Sequence, residues 1–163
     1  MPATMTAAPR RSSTTLLDAL APIHEEWIST VHRAVSPALL GSASIWDRWT
    51  AARYLGDQFA ARLEQERKLV RYVPGLEPGA LARIEADFGS LERIRVRIVA
   101  AGRLRNTGGV VMLLLRSFLE LLAEWCVAIE LAADRVPLAE LPTEAAQILS
   151  DLQPEASPGG VCW

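Results

Sequence analysis

Residues 13–35 read STTLLDALAPIHEEWISTVHRAV. At ~100° per residue, Leu17, Leu20, His24, Ile28, Val31 and Val35 share one face of a helix. The spacing predicts an amphipathic helix, capped by Ser13 or Thr14 and ending near Val35 because Ser36 precedes Pro37. Pro22 either kinks this helix or begins its main part, with Glu25 and Glu26 placed to suit the helix dipole. His24 interrupts the stripe with a polar, titratable ring. Such a ring, once buried, needs a partner: a side chain, a water, a metal or a bound ligand.

The helical period recurs along the chain. Ser44, followed three residues later by Asp47, forms a capping box with Asp in place of the usual Glu. It opens a second helix over 45–72, which stops at Pro74-Gly75. Pro78 starts a third helix that runs to residue 101. Asn106-Thr107-Gly108-Gly109 is a break, and a fourth helix follows over 110–133. Pro137 and Pro142 lead to a short amphipathic helix over 143–152. No alternating run or hairpin signal marks a strand. The expected fold is all-α: an antiparallel four-helix bundle with a short C-terminal helix, spanning residues 13–152. Residues 1–12 read as a disordered tail and 153–163 as a flexible one.

Of the 163 residues, 50% are hydrophobic and 22% charged, which suits a single domain with a substantial core. A net charge of −2 argues against nucleic acid as a partner, since phosphate binding needs a basic face. Lysine occurs only at Lys68, while Ala, Leu and Arg dominate, the style of GC-rich bacterial coding. Cys126 and Cys162 make no disulfide framework in a chain of this length; Cys126 reads as a buried small hydrophobe and Cys162 as exposed. The first fifteen residues show no export signal, so a cytoplasmic location is expected. The apolar stretch 110–133 carries Arg116, Glu120 and Glu124 on one face, which suits a core helix with one wet edge rather than a membrane span. Five tryptophans read as ordinary core or as the wall of an apolar pocket.

Polar residues fall on apolar faces twice more. On the second helix Glu66 sits within the arc of Phe59, Leu63 and Val70; on the third, Arg95 sits within the arc of Ile84, Phe88 and Leu91. Counting from the turn near Leu76, Glu66 is level with Phe88, and Arg95 lies roughly a dozen ångströms deeper. A Glu66–His24 pair across the bundle is therefore at least as plausible as a Glu66–Arg95 pair. On the fourth helix Glu130 lies on the polar arc and is expected to be solvated.

Four segments carry a family likeness: APIHEE at 21–26, FAARLEQERKLV at 59–70, IEADFGSLERI at 84–94, and FLELLAEWCVAIE at 118–130 followed by Val136-Pro137-Leu138. Over about residues 15–140 this order resembles the hemerythrin-like family of cation-binding four-helix bundles. The resemblance implies a diiron site with His24 as a ligand and Glu66 and Glu130 as its two carboxylates. It sets Arg62, Phe88 and Cys126 where the family carries histidines. Only His24 and His32 remain here, whereas iron that handles oxygen wants several imidazoles. The implied site is degenerate, with no cofactor expected and Arg62 or Arg95 supplying Glu66 with the positive charge a metal would bring. His24, Glu66, Arg62 and Arg95 then form a ligand site or buried polar cluster. The expected role is a non-enzymatic module for ligand sensing or protein association, with a small molecule or a protein as partner. The alternative is a reduced iron or oxygen-binding site on His24, Glu66 and Glu130.

Overall fold

A computed structural model describes residues 14–153. The tail expected over 1–12, all but Gln153 of the one expected over 153–163, and Cys162 lie outside the described residues. The described residues are all-helical, with no strand; Thr15 and Pro137 form an isolated bridge.

Helix α1 spans Leu16–Val35 with Pro22 inside it. Its cap is Thr15, rather than Ser13 or Thr14. The reason is Asp18: the Thr15 side chain accepts from the Asp18 N–H while the Asp18 carboxylate accepts from the Thr15 N–H at 2.8 Å. The cap is also tied down from outside, since the Leu16 N–H donates to Val136 O and the Leu138 N–H to Thr14 O. A 3-10 turn, Ser36–Leu39, follows. Helix α2, Ile45–Tyr54, starts at the expected Ser44–Asp47 capping box. It runs through a π turn, Leu55–Phe59, straight into α3, Ala60–Arg71. Helix α4 is Pro78–Ala101, α5 is Gly108–Ala133, and α6 is Thr143–Leu152. The breaks fall where turn chemistry requires them: Gly75 and Asn106 both adopt positive φ.

Helix α5 packs against α4 and α1, the α2–α3 rod touches α1 and α4, and α6 covers α3. The shared core draws Leu20, Trp27 and Val31 from α1, and Phe59 and Leu63 from the rod. Leu91 of α4 and Phe118, Leu122 and Trp125 of α5 complete it. Its centre is aromatic: Trp27 stacks on Phe59 at 5.1 Å and meets Trp125 edge-on, while Phe59 meets Phe118. The buried line of α1 runs through Leu16, Leu20, Ile23, Trp27 and Val31. Leu17 and Ile28, expected on the stripe, sit at its half-buried edge. Trp27 explains the offset, since its large ring lies at the heart of the core and rotates the helix toward itself.

The π turn breaks the uniform 100° step assumed from sequence, because a wider turn inserts a residue and swings the following side chains. Arg95 Nη1 donates to Leu55 O, at the first residue of that turn, at 3.3 Å. Where this rod meets the end of α4, contact is very close. A Cβ on Gly102 would lie 2.7 Å from Ala52 Cβ and 3.0 Å from Arg48 O. Neither neighbour can swing away. Gly102→Ala is therefore expected to lower stability by about 1–3 kcal/mol, the usual cost of overpacking. Urea unfolding checks this, and an unchanged midpoint would refute the tight approach.

Candidate functional site

Three elements bring His24, Glu66 and Glu130 together. His24 faces inward from the middle of α1 because its neighbours on the buried line, Leu20, Trp27 and Val31, hold that face in the core. Glu66 faces it from α3, carried inward with Leu63, Leu69 and Val70. Glu130 reaches it from the last turns of α5, beside Ile129. His24 and Glu66 are the buried polar side chains among the described residues, 1% and 0% exposed.

The geometry is a clamp. His24 Nδ1 lies 2.7 Å from Glu130 Oε1, and Nε2 lies 3.3 Å from Glu66 Oε2. An ionised carboxylate only accepts hydrogen bonds. With both carboxylates in that form, both ring nitrogens donate at once and the ring is an imidazolium. Its pKa responds to opposing causes. Burial pulls it down; the hydrogen bond and charge of Glu66, then those of Glu130, push it up, and the net movement is upward from 6.5.

Arg62 completes the cluster. Its guanidinium stands 4.0 Å from Glu66 Oε1, donates to Ile23 O at 3.3 Å, and lies over the Trp27 ring at 4.7 Å. Burial lowers its pKa and the Glu66 charge works against that fall. Glu66 Oε1 itself, the Trp27 indole N–H and Arg62 Nε have no hydrogen-bond partner among the described residues. The Cys126 thiol, buried beside this cluster, has its pKa pushed far up by burial and then by Glu66 and Glu130. It is an inert thiol rather than a nucleophile.

Two expectations need correction. Glu130 is not simply solvated. It is 26% exposed, and its long side chain reaches back from the edge of α5 to His24. The helical wheel put its Cα on the polar arc but ignored that reach. Arg95 does not join the cluster. It pairs with Glu92 one turn away and with Leu55 O, which fits its deeper position along the helix. Of the other positions that the resemblance singles out, Phe88 packs on Trp125 at 6.3 Å beneath the Arg67 guanidinium. His32 is exposed near the end of α1. What sequence reasoning missed is Trp27 as the platform for Arg62. The readable signal was the four-residue spacing of Arg62 and Glu66, which places them on one helix face.

The tryptophans divide. Trp27 and Trp125 are core, and the Trp125 N–H donates to Ile84 O at 3.1 Å. Trp46 and Trp49 are surface residues that line an open cleft of about 300 Å³ with Ile45, Gly102 and Arg103. Five surface clefts, this one included, are lined by residues other than His24 and Glu66.

The residues present do not fit a diiron centre. Both nitrogens of the one inward histidine are engaged by carboxylates on opposite edges of the ring. Where the resemblance would set three further imidazoles stand the Arg62 guanidinium, the Phe88 ring and the Cys126 thiol. Among the described residues no group of three or more His, Cys, Asp and Glu side chains is arranged to hold a metal ion. No protein-family model, curated protein or solved structure matches the chain.

Two predictions follow from the clamp. Removing one partner of a buried pair strands the other charge, so His24→Leu is expected to cost about 3–5 kcal/mol, and His24→Leu with Glu66→Leu to recover most of it. Urea unfolding of both variants decides; a double variant no better than the single one would contradict the clamp. The second concerns pH. Because the native pKa of His24 lies above its unfolded value, its stabilisation is complete below pH 6.5 and drains away as pH rises through the raised native value. The stability difference between the wild type and His24→Gln should therefore shrink on the alkaline side; a difference that grows there would count against the ionised ring.

Proposed function

We propose that this chain is a non-enzymatic association module: an antiparallel four-helix bundle of hemerythrin-like design whose metal site has been rebuilt as an internal ionic clamp. The observation that carries this reading is the double engagement of His24 by Glu66 and Glu130, with the Arg62 guanidinium beside Glu66. The cluster neutralises itself with protein groups. The order of helices, the contacts of α5 with α4 and α1, and the covering α6 support the bundle. With His24 and Glu66 both buried, recognition falls to the surface, and the partner is a protein or a small ligand held there.

A reduced metal site is the second reading. Glu66 Oε1 favours it: a buried carboxylate oxygen without a hydrogen-bond partner is a free donor for a cation. His24, Glu66 and Glu130 would hold the ion, with Glu66 and Glu130 swinging to one side of the ring.

Metal analysis of protein purified without a histidine tag separates the two. The clamp reading expects a folded protein with substoichiometric iron, manganese and zinc. Stoichiometric metal that is lost in His24→Ala would replace it with the second reading.

A further inference from the structure

Helix α5 has an outer face that no described helix covers. Val110, Leu113, Val127 and Leu131 are all more than half exposed, Leu131 at 74%. They share a stripe with Glu120 and Glu124, stepping along the helix at alternating three- and four-residue intervals when Ser117 is counted. Scattered exposed aliphatics are ordinary, but these four form two exposed apolar pairs on one seam, one pair at each end, with Ser117, Glu120 and Glu124 between them. A lipid core is not what it suits, since no described helix is long and apolar enough to cross a membrane.

The apolar positions of the stripe are nearly symmetric about Glu120, while the charges are opposite on its two sides. Two apolar residues stand at each end, a basic one toward the N-terminal side and acidic ones at the centre and beyond. We propose that α5 forms the two-fold interface of a homodimer, its outer face lying antiparallel on that of a second copy with the axis at Glu120. This register sets Leu113 opposite Val127 of the second copy, and Val110 beside Leu131. It also sets Arg116 opposite Glu124. Each contact occurs twice, as a two-fold interface requires. The seam runs ~30 Å, from residue 110 to residue 131 at ~1.5 Å per residue.

Charge is what selects a second copy over an arbitrary apolar partner. Arg116 and Glu124 are eight residues apart and more than two turns along one helix, beyond each other's reach in a single chain. Across the two-fold they face each other twice. Glu120 meets its own copy at the axis, a like-charge contact. The two Arg116 side chains, one turn away on either side, bracket that pair. The inference deepens the association reading above by naming its partner, and rests on that reading only for the class of function. Metal content decides the clamp; molecular mass decides the dimer.

Sedimentation of the full-length chain at low salt is the test. The expected species has twice the 17.8 kDa chain mass. Arg116→Glu and Glu124→Arg should each raise the dissociation constant roughly tenfold or more, through facing like charges. Mixing the two variants should restore tight association as a heterodimer, because each then meets its complement at both contacts; native mass spectrometry reads this directly. Glu120→Gln should tighten the wild-type dimer. Both charge variants alter exposed side chains, and far-UV circular dichroism confirms that they remain folded. A monomer at every concentration overturns the inference, and so does a dimer that neither charge reversal weakens.

Discussion

The buried His24 ring, held between two carboxylates beside the aromatic centre of the core, constrains everything around it. A protonated ring there is tolerable only because two carboxylates arrive on opposite edges, one from α3 and one from α5. Three segments far apart in sequence must therefore converge within hydrogen-bond distance. An apolar core can slide by a fraction of a turn and still be buried. This one cannot, because sliding α3 against α1 strands the Glu66 charge. The clamp thus fixes the relative height of helices that hydrophobic contact alone would leave loosely specified.

Arg62 shows how the cluster is kept from becoming over-acidic. Two carboxylates and one imidazolium leave a negative excess, and the Arg62 guanidinium lies next to Glu66 Oε1 while resting on the Trp27 ring. Trp27 in turn stacks on Phe59, the last residue of the π turn. The wide turn, the aromatic stack and the ionic cluster are therefore one assembly. Arg95 serves the same assembly from the other side, bonding Leu55 O at the start of the turn.

The helices were legible because their signals are local. Ser44 and Asp47, Pro78, Gly75 and the Asn106 break act within a few residues, and the structure places its boundaries on them. Even Thr15 in place of Ser13 or Thr14 is a choice among adjacent caps, decided by where Asp18 sits. The pairing of His24 with Glu66 was legible as one of two options, since both occupy apolar arcs. What failed was anything depending on side-chain length or on irregular backbone. Glu130 starts from a polar arc and reaches inward, and no wheel of Cα directions carries that information. The π turn alters the step of the second rod, and no residue in Leu55–Phe59 announces it. Arg95 looked like a core charge because its wheel position was right; it pairs instead with Glu92 on its own helix and with Leu55 O at the start of the π turn.

Helix α5 joins the interior to the surface. Glu130 and Leu131 are adjacent in sequence, one held on His24 and the other 74% exposed on the outer stripe. Consecutive residues on a helix point ~100° apart, so a rotation that seats Leu131 deeper against a partner also moves Glu130. The 2.7 Å contact between Glu130 and His24 tolerates little of that movement before a buried imidazolium loses a partner. The clamp therefore acts as a stop on the rotation of α5. A surface that must present four aliphatics in register needs such a stop, because the helix is apolar around much of its circumference and packing alone would allow several rotations. On this argument the charged interior is kept for orientation more than for stability: an aliphatic replacement of the whole cluster could pack as well and still let the outer stripe turn away.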